Sequence, residues 1–494
     1  MKLLNKIALA FLLLLAISPA FAQKWSLNDC IDYAIRNNIE IKQQQLLVDN
    51  SEVQLALSKT ARLPDINAEL GQVFTFGRVP AEIQINQNLD LAHTSVSLYT
   101  SIPIFTGFKI NNEVKRDKLS LQAATEGLKK AKENMELYIT SLYLRCLLDK
   151  EIINIYQEVI KLTDQQLRQT ETLVMAGVVP ESQLFDIKSQ MAKDELNLVT
   201  AENELTLSLL YLAQALNLKN LNGFDILEPV TGEDVILDNM QSLSLTPDQI
   251  YDIALGIKPH VREAEYNVDA SRTEIAIAKS YYYPTISLGF SISSMYNYIY
   301  KNQDISSPFT LGYQAGAQAQ IAESYYWPDL DVSASVSGMM NFFSDSRLNN
   351  DPFFTQLNDN RNELIALTMK IPIFNWGKTG KKVRQARIKM TDRMLVLDNV
   401  KLSLYKEIQE AYTGAVTSRT KYQATEKAVR AAQESYDYAV LRYEVGNMTV
   451  FEYNEAQAKL FNSRTEQLLA KYDFMFRAKI LDFYKGESLY KTKN

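Results

Sequence analysis

The chain has 494 residues, 46% of them hydrophobic, and 58 acidic against 52 basic side chains give a formal charge of −6. An acidic chain without basic clusters argues against a nucleic-acid partner. Two cysteines, Cys30 and Cys146, cannot make a disulfide framework, and two histidines far apart in the chain, His93 and His260, cannot make a metal cluster or a His-based triad.

The N-terminus carries Lys2 and Lys6, then the apolar run "IALAFLLLLAI", then a small-x-small site at Ala20, Phe21 and Ala22. This pattern predicts a secretory signal peptide over 1–22, cut before Gln23. No Cys follows the cut, so lipid attachment there is not expected. No later run approaches the ~20 apolar residues of a spanning helix.

The rest of the chain is written twice. "DYAIRNNIEIKQQQLLVDNSEVQLALSKTARLPDI" from Asp32 matches "DIALGIKPHVREAEYNVDASRTEIAIAKSYYYPTI" from Asp252 at an offset of 220. "SIPIFTGFKI" from Ser101 matches "KIPIFNWGKT" from Lys370 at an offset of 269, and that same offset sets Gly177 on Gly446. The unit exceeds 200 residues, far longer than a solenoid repeat.

The first repeat is predicted over 23–245. A helix runs from about Leu27 to Ala61 and is stopped by Pro64. Two strands follow within 64–106, with Ile66, Ala68 and Leu70 outbound and Val96, Leu98, Ile102 and Ile104 on return. Period-two alternation of this kind makes one face of a strand apolar. A long helical hairpin covers 107–218. The 70 residues from Gly107 to Gly177 would reach roughly 105 Å as helix, and Ile152, Ile155, Val159 and Leu162 are spaced as a coiled-coil seam. Gly177 ends the outward helix, because glycine takes the left-handed conformation without steric cost. The return starts at Pro180, and 219–245 follows.

The second repeat is predicted over 246–494. Thr246 caps a helix over 247–283 with Pro247 at its first position. Strands lie within 284–374, where Ile286, Leu288, Phe290 and Ile292 and then Leu367, Met369, Ile371 and Ile373 alternate. The two offsets differ by 49, so this copy carries an insertion of 49 residues. Inside it "IAKSYYYPTISLGFSIS" from Ile277 recurs as "IAESYYWPDLDVSASVS" from Ile321, with Leu311, Tyr313, Ala315 and Ala317 as a further strand between. This local duplication over 285–327 either joins the sheet as a strand pair or hangs from it as a loop. A second helical hairpin covers 378–483. Its tip, "RYEVGNMTVFEYNEAQ", holds Gly446 as the stop and Thr449 three residues before Glu452, a capping-box start.

A sheet whose apolar face meets lipid must close, since open edges cannot be satisfied in hydrocarbon. Four to six strands enclose no lumen, so several chains must share one barrel. Phe105, Tyr281, Tyr282, Tyr283, Phe374 and Trp376 gather where strand meets helix, the place for an interfacial belt, with Lys279 and Lys378 able to snorkel. "NWGKTGKK" does not complete a phosphate loop, because position 375 is Asn where the motif needs Gly. Nothing resembles a nucleophile elbow; the chain reads as no enzyme, with no cofactor.

"WSLNDCIDYAIRNN", the doubled "IPIF" strand ends and the doubled tips "AGVVPESQLFD" and "VGNMTVFEYNEAQ" resemble the TolC-like outer-membrane efflux and secretion factors. The resemblance covers essentially all of the mature chain through order, duplication and spacing. It implies an α+β membrane protein of a Gram-negative outer membrane, a homotrimer with one shared β-barrel continued by a long α-helical coiled-coil cylinder in the periplasm. It also implies an equatorial segment at 219–245 and the C-terminal tail. The implied function is the exit duct of a tripartite efflux pump or type I secretion system, with a periplasmic adaptor and an inner-membrane transporter as partners. Adaptor docking is implied at Gly177, Val178, Leu184, Val445, Gly446 and Tyr453. A periplasmic gate is implied at Glu452, Glu455 and Tyr443, with apparent carboxyl pKa values raised by mutual repulsion. Met448 and Gln183 stand where the family has an ionic latch. A self-sufficient porin and a periplasmic coiled-coil scaffold are the alternatives. The cargo is not readable.

Overall fold

The computed structural model describes residues 24–76, 78–79, 87–88, 91–218, 223–228, 244–299, 317–322, 331–341 and 352–487. The expected signal peptide, most of 219–245 and the strand residues Leu311, Tyr313 and Ala315 lie outside the described residues.

The first repeat contains α1 (Leu27–Asn37), α2 (Ile39–Thr60), β1 (Asp65–Thr75), the short pair β2 (Arg78–Val79) and β3 (Gln87–Asn88), β4 (Leu91–Thr106), α3 (Lys109–Met175) and α4 (Glu181–Ala215). The second contains α5 (Pro247–Ile257), α6 (Pro259–Ser280), β5 (Thr285–Ile299), β6 (Ala317–Ala322), β7 (Asp331–Asn341), α7 (Phe353–Asp359), β8 (Asn362–Phe374), α8 (Lys378–Glu444) and α9 (Val450–Lys485). Three helix pairs reproduce the duplication residue for residue. α1 and α5, like α2 and α6, are displaced by 220, and α3 and α8 by 269, each of these last two being 67 residues long. At ~1.5 Å per residue each long helix measures about 100 Å.

The single helix expected before the strands is two helices in each copy. Asn38 is extended, with ψ 137°, and its side-chain Oδ1 accepts from the Glu40 amide at 2.8 Å, so it closes α1 and caps α2. In the second copy Lys258 is extended, and Pro259 opens α6. The chain turns from strand to helix through a pair of left-handed residues in both copies, Gly107–Phe108 and Trp376–Gly377. The glycine has changed places within the pair, but the conformation has not.

Two compact units divide the chain. One comprises Val48–Ala124 and Glu263–Leu397 and holds the sheet. Its six strands are antiparallel neighbours in the order β1-β4-β5-β8-β7-β6. The pairs β1–β4 and β5–β8 share one register, since Asp65 opposite Ser101 becomes Thr285 opposite Lys370 after the two offsets. Cross-strand rows keep one face apolar: Ile66–Thr100–Phe290–Ile365 is one row and Ile102–Leu288–Leu367 another. Ile66, Phe290, Ile365 and Leu367 on these rows are exposed in the single chain, as is Leu98 on the next row of the same face. The adjacent rows are polar, with Ser97 opposite Ser293 and Ser101 opposite Gly289. The insertion's β6 and β7 join this sheet beyond β8.

Helix α7 was not foreseen. β8 pairs with β5 only as far as Ser293, and beyond it α7 takes the strand's place. The Gln356 side chain donates to the Asn297 carbonyl (3.1 Å) and accepts from the Asn297 amide (3.0 Å), while the Asn360 amide donates to the Met295 carbonyl (2.9 Å). Side-chain amides thus satisfy backbone groups that would otherwise be orphaned.

The other unit comprises Met1–Leu47, Thr125–Arg262 and Asp398–Asn494. Ile31, Ile139, Leu212, Leu216 and Ile226 are among its fully buried side chains. Residue 25 bridges residue 226 in parallel, the Trp25 amide donating to the Asp225 carbonyl at 2.9 Å, and Tyr143 Oη donates to the Leu227 carbonyl. Lys150 pairs with Asp225, which pulls that carboxyl below the ordinary carboxylate range against the opposing pull of burial. Cys30 and Cys146 are buried free thiols, and burial pushes both up to about 12.

Candidate functional site at the helical tips

Both outward helices end in the same hydrogen-bond motif. The Gly177 amide donates to the Val174 carbonyl and Val178 to Leu173; at the second tip Gly446 donates to Tyr443 and Asn447 to Arg442. With φ of +71° and +75°, Gly177 and Gly446 are the left-handed residues of two Schellman motifs. The return helices differ at their starts. Pro180 caps α4 without a side-chain bond, whereas Thr449 and Glu452 make a complete capping box on α9.

The tips present apolar side chains to solvent. Val178 and Val445 are 67% and 70% exposed, and Leu184 is half-buried. Met175, Phe185 and Phe451, which the motif reading passed over, are exposed as well. Their signal was available: each is a large apolar residue within eight positions of a tip glycine.

Tyr453 sits differently from the other tip residues. Its ring is buried against Tyr436 and Tyr443, with centroids at 5.6 and 5.0 Å, and its hydroxyl meets that of Tyr436 at 2.7 Å. Burial first, and Tyr436 second, raise its pKa. The side chain holds α8 to α9 beneath the tip together with Ala432 and Leu460. Half-buried Tyr443 packs on the same cluster. The first hairpin is instead polar at its seam, where buried Thr163 donates to Asp194 at 2.8 Å.

Glu452 and Glu455 are exposed one turn apart. The Glu452 carboxylate accepts from the Thr449 amide and hydroxyl, both at 2.9 Å, and these two bonds hold it below the ordinary range. Within the chain the direction is therefore opposite to the raised value expected of a repelling ring.

At the strand–helix junctions Tyr281, Tyr282, Tyr283, Phe374 and Trp376 are exposed and Phe105 half-buried. Phe105 meets Phe108 edge to face at 5.2 Å, Phe108 meets Tyr283 at 6.1 Å, and Phe374 meets Trp376 at 5.3 Å. Lys382 and Lys109 lie over Tyr281, at 4.2 and 5.7 Å, and Lys279 is exposed. Among the described residues no helix is long and apolar enough to cross a membrane, and no His, Cys, Asp or Glu cluster could hold a metal ion.

The family model for outer membrane efflux proteins matches residues 30–218 and 301–479. The chain belongs to the outer membrane efflux protein family. Its place is therefore the outer membrane, with a large helical portion in the periplasm, and its family is one of efflux channels. The probable outer membrane lipoprotein SilC of Salmonella typhimurium is 25% identical over 289 residues, 57% of each chain. The match to the outer membrane protein TolC of Escherichia coli K12 spans only 22% of that protein, at 24% identity over 22% of this chain. The cation efflux system protein CusC of Escherichia coli O157:H7 is 21% identical over 90% of this chain and 82% of its own length. Among solved structures, CusC superposes with a TM-score of 0.70 at 17% identity, covering 94% of this chain and 93% of that one. The Vibrio cholerae outer membrane protein VceC gives 0.68 at 14% identity, with 94% and 97% covered.

Proposed function

We propose that this outer membrane efflux protein is a passive exit duct. In this reading it is a homotrimer whose strands close one barrel and whose helical hairpins line a periplasmic conduit, opened at the tips by an adaptor and an energised inner-membrane transporter. The observation that carries it is the pairing of an exposed apolar sheet face with two ~100 Å helices, each turned back by a glycine at an apolar-decorated tip. A porin would have no use for the hairpins, and a periplasmic scaffold would leave the sheet face bare to water. Docking falls to Gly177, Val178, Leu184, Val445 and Gly446, with Tyr453 as their support.

The test is the double variant Gly177→Leu/Gly446→Leu. Each left-handed site costs on the order of 1 kcal/mol when a side chain is added, so the oligomer should remain in the outer membrane while transport is lost. Unimpaired transport in that variant would refute tip docking. Glu452 and Glu455 are proposed to make the periplasmic mouth cation-selective. In planar bilayers Glu452→Gln/Glu455→Gln should lose that selectivity, and unchanged selectivity would leave Glu452 with capping alone.

A further inference from the structure

The 44-residue local duplication has a meaning in the sheet that its sequence does not show. β1, β5 and β7 are one kind of strand: β5 is β1 displaced by 220, and β7 lies within β5 displaced by 44. Call these outbound, since β1 and β5 each leave a helix through "LP" or "YP". β4 and β8 are return strands, each leading through "IPIF" into a long helix. The strand order β1-β4-β5-β8-β7-β6 therefore alternates outbound and return across the whole sheet.

β8 illustrates the rule. Its one edge pairs with β5 and its other with β7, two copies of the same strand. Ser335 of β7 opposes Lys370, where β4 has Gly289 of β5 opposite the equivalent Ser101. After the displacement of 44 these registers differ by two residues, and an even shift keeps the two faces of a sheet in step. Apolar positions of β7 accordingly fall in the apolar rows, Val336 opposite Met369 and Ala334 opposite Ile371, while Ser335 and Ser337 fall in the polar ones. β6 continues both patterns, with Ile321 opposite Val332 and Gln320 opposite Ser333.

A sheet of four strands, β1 to β8 in this order, would end on a return strand whose free edge calls for an outbound partner. The local duplication supplies that partner within the chain and then adds β6, which runs in the return direction because it is antiparallel to β7. The sheet still ends on a return strand, one pair further out. Its two ends, β1 and β6, run in opposite directions, so an antiparallel joint between β1 of one copy and β6 of the next extends the ladder without a break. A head-to-tail joint of this kind closes into a ring by rotation.

We propose, resting on the shared-barrel reading above, that β6 and β7 are barrel wall and that the free edge of β6 is the surface on which β1 of a second copy docks. The barrel then has six strands per copy, 18 for three copies in place of 12, and since diameter grows roughly linearly with strand number it is about 1.5 times wider. The displaced alternative, in which β1 of the neighbour pairs with β8 and the β6–β7 pair lies outside the wall, predicts different neighbours.

Cysteine pairs in the full chain separate them, in a background of Cys30→Ala/Cys146→Ala. Asn67→Cys or Glu69→Cys on β1 is combined with Gln320→Cys on β6, or with Thr368→Cys on β8, and outer membranes are oxidised before a non-reducing gel. The expected result is an inter-copy ladder at least fivefold stronger from the Gln320 pairs than from the Thr368 pairs. A ladder from the Thr368 pairs with none from the Gln320 pairs overturns the proposal and leaves the shared barrel standing. No inter-copy product from either set overturns the shared barrel and the proposal together. Particle images of the purified wild-type oligomer give a check that needs no variant: a barrel of 18-strand width is expected, and one of 12-strand width refutes it. The tip variants read docking and do not bear on this outcome.

Discussion

His260 offers a titration that can be worked through to a number. It is the second residue of α6, just after Pro259, where the first-turn amides and the helix dipole disfavour a cation. Burial, and then Lys130 and Lys258, lower its pKa from 6.5 to about 4. The unfolded chain therefore takes up this proton first as pH falls. The neutral ring's contribution to stability is complete above pH 6.5 and is lost between 6.5 and about 4. At 1.36 kcal/mol per unit the full span is worth about 3.4 kcal/mol, and because the ring retains access to solvent, screening reduces this to roughly half. For a chain of this size the loss corresponds to roughly 2 °C in the thermal midpoint. The assay is circular dichroism melting of the purified full chain in detergent from pH 7.5 to 4.5, wild type against His260→Gln. The wild type should lose more on acidification than the variant does. The reasoning fails if the two pH profiles coincide, or if neither imidazole signal of the labelled protein titrates well below 6.5.

Three further outcomes follow from individual contacts. Gly107→Ala places a Cβ 2.6 Å from the Ser280 carbonyl oxygen, whereas Gly377→Ala, at the other position of the duplicate left-handed pair, meets nothing within 4 Å. The second should cost about 1 kcal/mol and the first several times more, read as the amount of folded protein reaching the outer membrane. Lys258, with its side chain 3% exposed, pairs with Glu133 at 3.2 Å and lies 3.1 Å over the Phe483 ring. Lys258→Ala should cost about 3–5 kcal/mol, and Lys258→Met with Glu133→Gln should recover part of it, in the same melting assay. Thr449→Ala removes the cap of α9 at about 1 kcal/mol and should speed amide hydrogen exchange over 450–453, leaving the uncapped start at 181–184 unchanged.

The duplication was legible because it is spelled out in long stretches, and the matching helix bounds follow from it. The tip glycines were legible because a left-handed turn narrows the choice of residue. The break at Asn38 was not, since neither glycine nor proline marks the first copy and the signal lies in one side-chain bond. The packing of Tyr453 was not legible, since nearness to the tip does not show which face α9 turns towards α8. α7 escaped notice because its task, lending Gln356 and Asn360 to the edge of β5, leaves no periodicity to read. The lysines over Tyr281 were not legible, because Lys109 and Lys382 are brought to it only by the fold.

The equal length of α3 and α8, 67 residues each, bears on how such a chain can change over time. One residue gained or lost inside either helix would turn everything beyond it by about 100° and shift it by ~1.5 Å, carrying the seam away from its partner. Such a change has to occur in both copies or in neither. Strand connections carry no such phase, and a strand pair added whole restores the faces it interrupts. Growth by insertion is thereby easier in the sheet, where β6 and β7 of the second copy lie.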